Sequence, residues 1–558
     1  MARTANTITG RSAFLSLLKD EGISHLFGNP GTTELPIMDA LPDHLDLKYV
    51  LGLQEAIVVA MADGYSRASG ELVACNVHVA PGLGNAMGAL YNAKFTGTPM
   101  ILTAGQQELG HGLREPLLYD PLVPIAEPLV KWAVEVPRLE DLPLIVRRAA
   151  KIATTPPTGP VFISLPGDIL NAEGAIDLGQ SSRVESATRP SDELVRRLAE
   201  RIVAANAPVI VVGDEVVKSD GLKAAVALAE AAGAAVWQQT IAYGSHYPSE
   251  HACYVGTLSR DQKTTHTQLA PYDLMIAIGT DPLRMSVWSS TEAKPDALAI
   301  IQIGLVDWDI AKNYAVDIGV QADVAETMRA LVPALRDVGG QGFAGAAARR
   351  VKDIATDNWS ARRRRLASRI AESAAQETPI SGDWLTLALA EALPDDCVFV
   401  NESLTSGRHV ADLVPYKDRY SFHGLASGGI GWAVPAAVGI ALAQSPRPVC
   451  CYVGDGSAMY GIQALWSAAH LKLPITFVIP NNGGYRILKQ RLLAFHGNNR
   501  FIGMDLSEPE LDFVGLAQSM GVPAHRVTNP SEVQSTLSAA LRSGQPNLVE
   551  VMVDGSVA

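Results

Sequence analysis

Pro448-Val-Cys-Cys-Tyr-Val-Gly454-Asp455-Gly456-Ser457, followed downstream by Asn481-Asn482-Gly483-Gly484-Tyr485, decides the fold of this chain. The first apolar run reads as a buried parallel strand. Between Gly456 and Asn481 lie 24 residues, enough for a helix over Met459 to Leu471 and a second strand over Pro474 to Ile479. A strand–helix–strand crossover sets the C-terminal ends of its two strands side by side. Asp455 and Asn482 then meet at neighbouring strand tips, both offering oxygen to a hard cation. Mg²⁺ takes six oxygens, some of them from phosphates and water. The glycines let backbone approach a ligand, and the helix start after Ser457 presents free N–H groups to a phosphate.

The same grammar runs outward along the chain. A helix is expected over Thr9 to Glu21. Buried strands are expected at Leu72–Val77, Met100–Thr103, Val161–Ser164, Pro208–Val212, Leu274–Ile278, Ala299–Ile303, Cys397–Val400, Val449–Val453, Ile475–Ile479 and Asn547–Val553. Short apolar runs alternating with helical periodicity predict an α/β protein with doubly wound parallel sheets. Three blocks are expected, over 1–185, 190–340 and 375–558, with a polar linker after Gly179 and a Gly-rich end to the second block at 338–345. Arg362 to Arg365 reads as the solvated face of a connecting helix.

Composition narrows the function. The 558 residues carry 45 Lys plus Arg against 58 Asp plus Glu, a net charge of −13, with 47% apolar residues. Such a chain folds around ample core and repels phosphate backbones, so no nucleic-acid partner is expected. The five cysteines have neither disulfide-scaffold nor metal-ligand spacing. Cys450 and Cys451 lie in an apolar run and are expected buried and reduced. With no hydrophobic signal core and no apolar run near the length of a membrane span, a cytoplasmic protein without membrane contact is expected.

The Gly-Asp-Gly…Asn-Asn pattern resembles the signature of thiamine-diphosphate enzymes. By that resemblance Asp455 and Asn482 are side-chain metal ligands, and Gly484 gives its carbonyl. The metal would be Mg²⁺, with Ca²⁺ possible in the same site. Gly456 and Ser457 would hold the diphosphate, with Gly454 and Tyr485 also binding the cofactor. Glu55, in Leu51-Gly-Leu-Gln-Glu55-Ala, occupies the slot of the glutamate that hydrogen-bonds the pyrimidine ring. Gly428 would hold the 4′-amino group through its carbonyl, and Ile430 would be the apolar wedge under the bent cofactor. Further segments are similar to benzoylformate decarboxylases: Phe27 to Pro36, Asn76 to Gly88, Thr103 to Gln107, Pro128 to Trp132, Gly159 to Pro166, Asn401-Glu-Ser403 and Gly428 to Pro435. The resemblance implies pyrimidine-binding, central and diphosphate-binding domains, and self-association as a dimer or tetramer.

It also implies His78 as a catalytic proton relay. Thr32 stands where a serine would bind the substrate carboxylate. There are departures. Ser286 stands where a second histidine is expected, with His111 and His423 as other candidates for that relay. Gly424 and Arg491 replace aromatic walls, and Ile487 replaces a smaller residue. If Arg491 points inward, it favours a substrate with a second anionic or polar group. The expected activity is decarboxylation of a 2-oxo acid to an aldehyde. The alternative is a carboligase, acyloin lyase or acetolactate-synthase-like enzyme; flavin-bearing relatives also exist, and the sequence does not decide between them.

Overall fold

Eighteen strands build three six-stranded sheets in the computed structural model, which describes residues 7–557. The first sheet contains β1 (His25–Gly28), β2 (Lys48–Leu51), β3 (Val73–Val77), β4 (Met100–Gln106), β5 (Ala133–Glu135) and β6 (Val161–Pro166), in the order β2-β1-β3-β4-β6-β5. The second contains β7 (Pro208–Val212), β8 (Ala235–Gln238), β9 (Tyr254–Thr257), β10 (Leu274–Ile278), β11 (Ala299–Gly304) and β12 (Ile318–Gln321), in the order β9-β8-β7-β10-β11-β12. The third contains β13 (Val398–Glu402), β14 (Phe422–Gly424), β15 (Val449–Val453), β16 (Ile475–Asn481), β17 (Ala524–Val527) and β18 (Asn547–Met552), in the order β14-β13-β15-β16-β18-β17. The expected α/β class with three parallel sheets is what the chain adopts. Continuous Val, Ile and Leu runs such as Val209 to Val212 are buried on both faces, because helices cover each side.

The chain divides into two compact units. One joins Met1–Glu185, Leu393–Thr405 and Leu425–Ala558; the other joins Ser186–Ala392 and Ser406–Gly424. In the first unit, the helices Glu55–Ser69 and Ala433–Gln444 cross almost backbone to backbone. A Cβ on Gly439 would lie 1.9 Å from the Met61 carbonyl oxygen, and one on Gly64 would lie 2.4 Å from that of Ala436. Only glycine permits this approach. The Glu55–Ser69 helix is buried nearly all round, and its core continues through Val58, Met61, Ala436 and Ile440 to Phe477. In the second unit, Leu198, Ile210, Leu228, Ile276 and Ile301 form a separate core.

Two local expectations are corrected. The crossover between β15 and β16 is not one helix over Met459 to Leu471 but two short ones, Asp455–Ala458 and Ala464–His470. The intervening turn is pressed against the segment before Ala433: a Cβ on Gly431 (φ 99°) would sit 2.4 Å from that of Tyr460. The Gly-rich stretch 338–345, expected to end the second block, is helical on both sides of one break. It lies within the helix Val324–Thr356, which breaks only at Gly340 (φ 59°), because the Ala- and Arg-rich flanks carry the helix past it. Arg362, Arg364 and Arg365 lie on an exposed face as expected, while Arg363 is half-buried. Arg362 pairs with Asp357 at 2.9 Å, and Arg363 donates to the Leu413 carbonyl at 2.7 Å. All five cysteines are buried and free, as expected of Cys450 and Cys451 on β15.

Candidate active site

Asp455 opens a helical turn directly after β15, and Asn482 follows the last residue of β16. The two strands pair in register from Val449 opposite Ile475 to Tyr452 opposite Val478, so their tips lie together. One Asp455 oxygen accepts the N–H groups of Asn482 at 3.1 Å and Gly484 at 3.2 Å; the other accepts that of Gly456 at 2.8 Å. Burial raises the Asp455 carboxyl above its ordinary range, against the lowering by these donors. Asn482 Oδ1 is buried with no hydrogen-bond partner. A dry carboxylate beside an orphaned amide oxygen is the arrangement a divalent cation relieves. Among the described residues no three His, Cys, Asp or Glu side chains converge. An ion here would therefore rest on a mixed set of carboxylate, amide and carbonyl oxygens. Tyr485 lies over Gly456, where a Cβ would meet its ring at 2.6 Å.

The loop with Gly428 and Ile430 runs just before the helix Ala433–Gln444 and takes left-handed backbone at Gly428 (φ 82°) and Gly431. The buried Glu402 accepts the N–H groups of Gly431 and Ala433, each at 2.6 Å. Asp63, fully buried on the Glu55–Ser69 helix, accepts the Trp432 indole N–H at 2.6 Å and the Asn92 amide at 3.0 Å. The Arg67 guanidinium lies 4.5 Å over the Trp432 ring.

Glu55 is the first residue of its helix and is buried. Gln54 caps that helix by accepting the Ala56 N–H at 2.7 Å. The Glu55 carboxylate accepts Asn29 Nδ2 at 3.2 Å and Asn85 Nδ2 at 3.1 Å. His78 follows β3 and caps the helix Val79–Thr96. Its Nδ1 lies 2.7 Å from Glu34 Oε2 and 3.1 Å from Thr33 Oγ1. Glu34 is wholly shielded from water and also accepts the Gly31 N–H at 3.0 Å and the Gly105 N–H at 2.8 Å. Glu55 and His78 are neighbours across Gly82, whose Cβ would meet both at 3.1–3.3 Å. The backbone just past His78 is strained: the β-branched Val79 has φ 43°.

The family description "Thiamine pyrophosphate enzyme, N-terminal TPP binding domain" matches residues 8–117, the central-domain description matches 195–331, and the C-terminal TPP binding domain matches 405–551. A benzoylformate decarboxylase from Pseudomonas aeruginosa is 32% identical over 97% of this chain and 98% of its own length. The chain belongs to the thiamine-pyrophosphate enzyme family. The 4-hydroxybenzoylformate decarboxylase structure from Rhodococcus jostii RHA1 superposes with a TM-score of 0.88 at 30% identity, covering 99% of this chain and 100% of that one. A benzoylformate decarboxylase structure from Polynucleobacter necessarius gives 0.87 at 28% identity, covering 99% of each chain. The large subunit of acetolactate synthase isozyme 1 from Escherichia coli is 26% identical over 99% of this chain and 95% of its own length. The protein is thus a thiamine-diphosphate-dependent enzyme homologous to a carboxy-lyase.

Within this family frame the other candidate residues fall as follows. Thr32 is exposed, one residue before the Thr33 that touches His78. Ser286 is exposed in the second unit, its N–H bonded to the Arg260 carbonyl at 3.0 Å. His111 is exposed, and His423 is buried on β14. Arg491 is exposed on the helix Arg486–His496, its guanidinium 5.6 Å over the Phe495 ring. Ile487 is half-buried on the same helix. Sequence reasoning missed Glu34 and Glu402. Both sit inside quoted segments, yet only the fold reveals what their side chains reach.

Proposed function

We propose that this enzyme is a Mg²⁺-dependent, non-oxidative decarboxylase of a 2-oxo acid of the benzoylformate kind, releasing an aldehyde. The observation that carries this reading is the His78 imidazole clamped by buried Glu34 beside Glu55, a proton relay and an activating acid on one wall. When bound, thiamine diphosphate supplies a carbon nucleophile for the ketone and an electron sink for the departing carboxylate. Asp455, the orphaned Asn482 oxygen and the Gly484 carbonyl would hold the metal. Gly456 and Ser457 would hold the diphosphate, with Gly454 and Tyr485 also binding the cofactor. Glu55 would hold a proton at the pyrimidine nitrogen. Gly428 and Ile430 would seat the ring. Thr32 would hydrogen-bond the substrate carboxylate, and His78 would deliver the proton that completes the aldehyde.

The reading takes 1–185, 190–340 and 375–558 as pyrimidine-binding, central and diphosphate-binding domains of a cytoplasmic dimer or tetramer. Large exposed apolar side chains, Leu113 at 95% and Leu117 at 85%, support self-association. Among the described residues no helix is long and apolar enough to cross a membrane.

The test is a panel of 2-oxo acids incubated with protein, Mg²⁺ and thiamine diphosphate, read as CO₂ release. At least one member is expected to react, and Glu55→Gln to slow that reaction about a hundredfold or more with the far-UV spectrum retained. No release from any member overturns the reading. Carboligation is the second reading, favoured by the exposed serine at position 286 and the acetolactate-synthase relative. Carbon–carbon coupled product in excess of free aldehyde would establish it.

A further inference from the structure

Two separate segments are read as gripping the cofactor: the loop 428–432 and the turn 454–457. Both are tied to one residue, the first through its side chain and the second through its backbone. Glu402 ends β13 and is 3% exposed. One carboxylate oxygen accepts the Gly431 N–H and the other that of Ala433. Its backbone carbonyl accepts the Gly454 N–H at 3.3 Å. Elsewhere the loop is held at its ends, by the Trp432 indole on Asp63 at 2.6 Å and by the Gly429 N–H on Ser427 Oγ at 3.2 Å. It contains Gly428, Gly429 and Gly431, two of them in left-handed backbone, and a glycine-rich segment loses much entropy when fixed. The donors from 431–433 are the open N–H groups at the start of the helix Ala433–Gln444, where a negative charge is favoured. A carboxylate has only acceptors to offer them. A carboxamide in its place would turn an NH₂ toward N–H donors. Burial pushes the Glu402 carboxyl up to about 7, and the Ala433 and Gly431 donors oppose that rise.

We propose that Glu402 is a positioning residue that fixes the span between the 428–432 loop and the 454–457 turn, so that both ends of the cofactor are gripped at one set separation. This rests on the cofactor reading above. The wild-type protein first serves as the control: without heat of association for thiamine diphosphate and Mg²⁺ by calorimetry, that reading fails. Given binding, Glu402→Gln is compared for the whole cofactor and for inorganic pyrophosphate with Mg²⁺, which engages the turn alone. The expected result is a Kd for thiamine diphosphate raised about tenfold or more, and one for pyrophosphate changed by less than about threefold. A general loss of structure would weaken both alike. Equal changes in the two constants, or none in either, overturn the proposal. If the Gln variant does not fold, Glu402→Asp, which keeps the charge, carries the same comparison. Failure of both to fold makes Glu402 a folding residue and also overturns the proposal.

Discussion

Glu34 meets its hydrogen-bond donors entirely out of water, and this fixes the state of His78. A carboxylate only accepts, so the His78 nitrogen facing it at 2.7 Å, Nδ1, carries the hydrogen, and Nε2 is left as the reactive nitrogen. Glu34→Gln is expected to lower kcat about tenfold to a hundredfold, with a smaller change in KM. It should also mix the ring tautomers seen by ¹⁵N NMR. An unchanged tautomer with unchanged kcat would remove Glu34 from the positioning of His78. None of this was legible in the sequence. Glu34 stands in the segment quoted for Thr32, but its partner Gly105 lies 71 residues further on. Asp455 and Asn482 were legible because each is held by the end of its own strand. Arg491 was not, since whether a helix charge faces solvent or a pocket depends on what surrounds the helix.

At the scale of elements, the buried strands were readable because both faces of each are covered, which leaves an unbroken apolar run such as Leu274–Ile278. The helical crossover at 459–463 was not, because its turn is shaped by Gly431, far away in sequence. The glycines of the Glu55–Ser69 and Ala433–Gln444 pair carry a similar lesson: in sequence they look like helix breakers, yet in the fold they permit contact. Gly439→Ala puts a methyl into the Met61 carbonyl, and is expected to cost about 3 kcal/mol in urea unfolding. A loss below about 0.5 kcal/mol would mean that the helices separate freely.

Over the whole molecule, the second sheet has the strand order of a dinucleotide-binding fold. After β7, Asp214 and Glu215 open a short helix, and the Glu215 carboxylate accepts the Leu305 N–H at 2.8 Å. Chiefly through burial, Glu215 is pushed up to about 7 from its ordinary 4.5. Between those values the folded chain keeps a proton that the unfolded chain has lost. The stability this group contributes is therefore full below about 4.5 and disappears as pH rises through about 7. Urea melts of wild type and Glu215→Gln from pH 5 to pH 8 should show the wild type losing ground steadily to the variant; parallel curves would contradict the shift. In the first unit, one helix starts at Glu55 and its partner starts just past Trp432, and the two cross backbone on backbone with Asp63 bonded to the Trp432 indole. A tilt large enough to displace Glu55 would press Gly64 and Gly439 into the facing backbone and pull on Trp432, so the close crossing resists independent movement of the two helix starts.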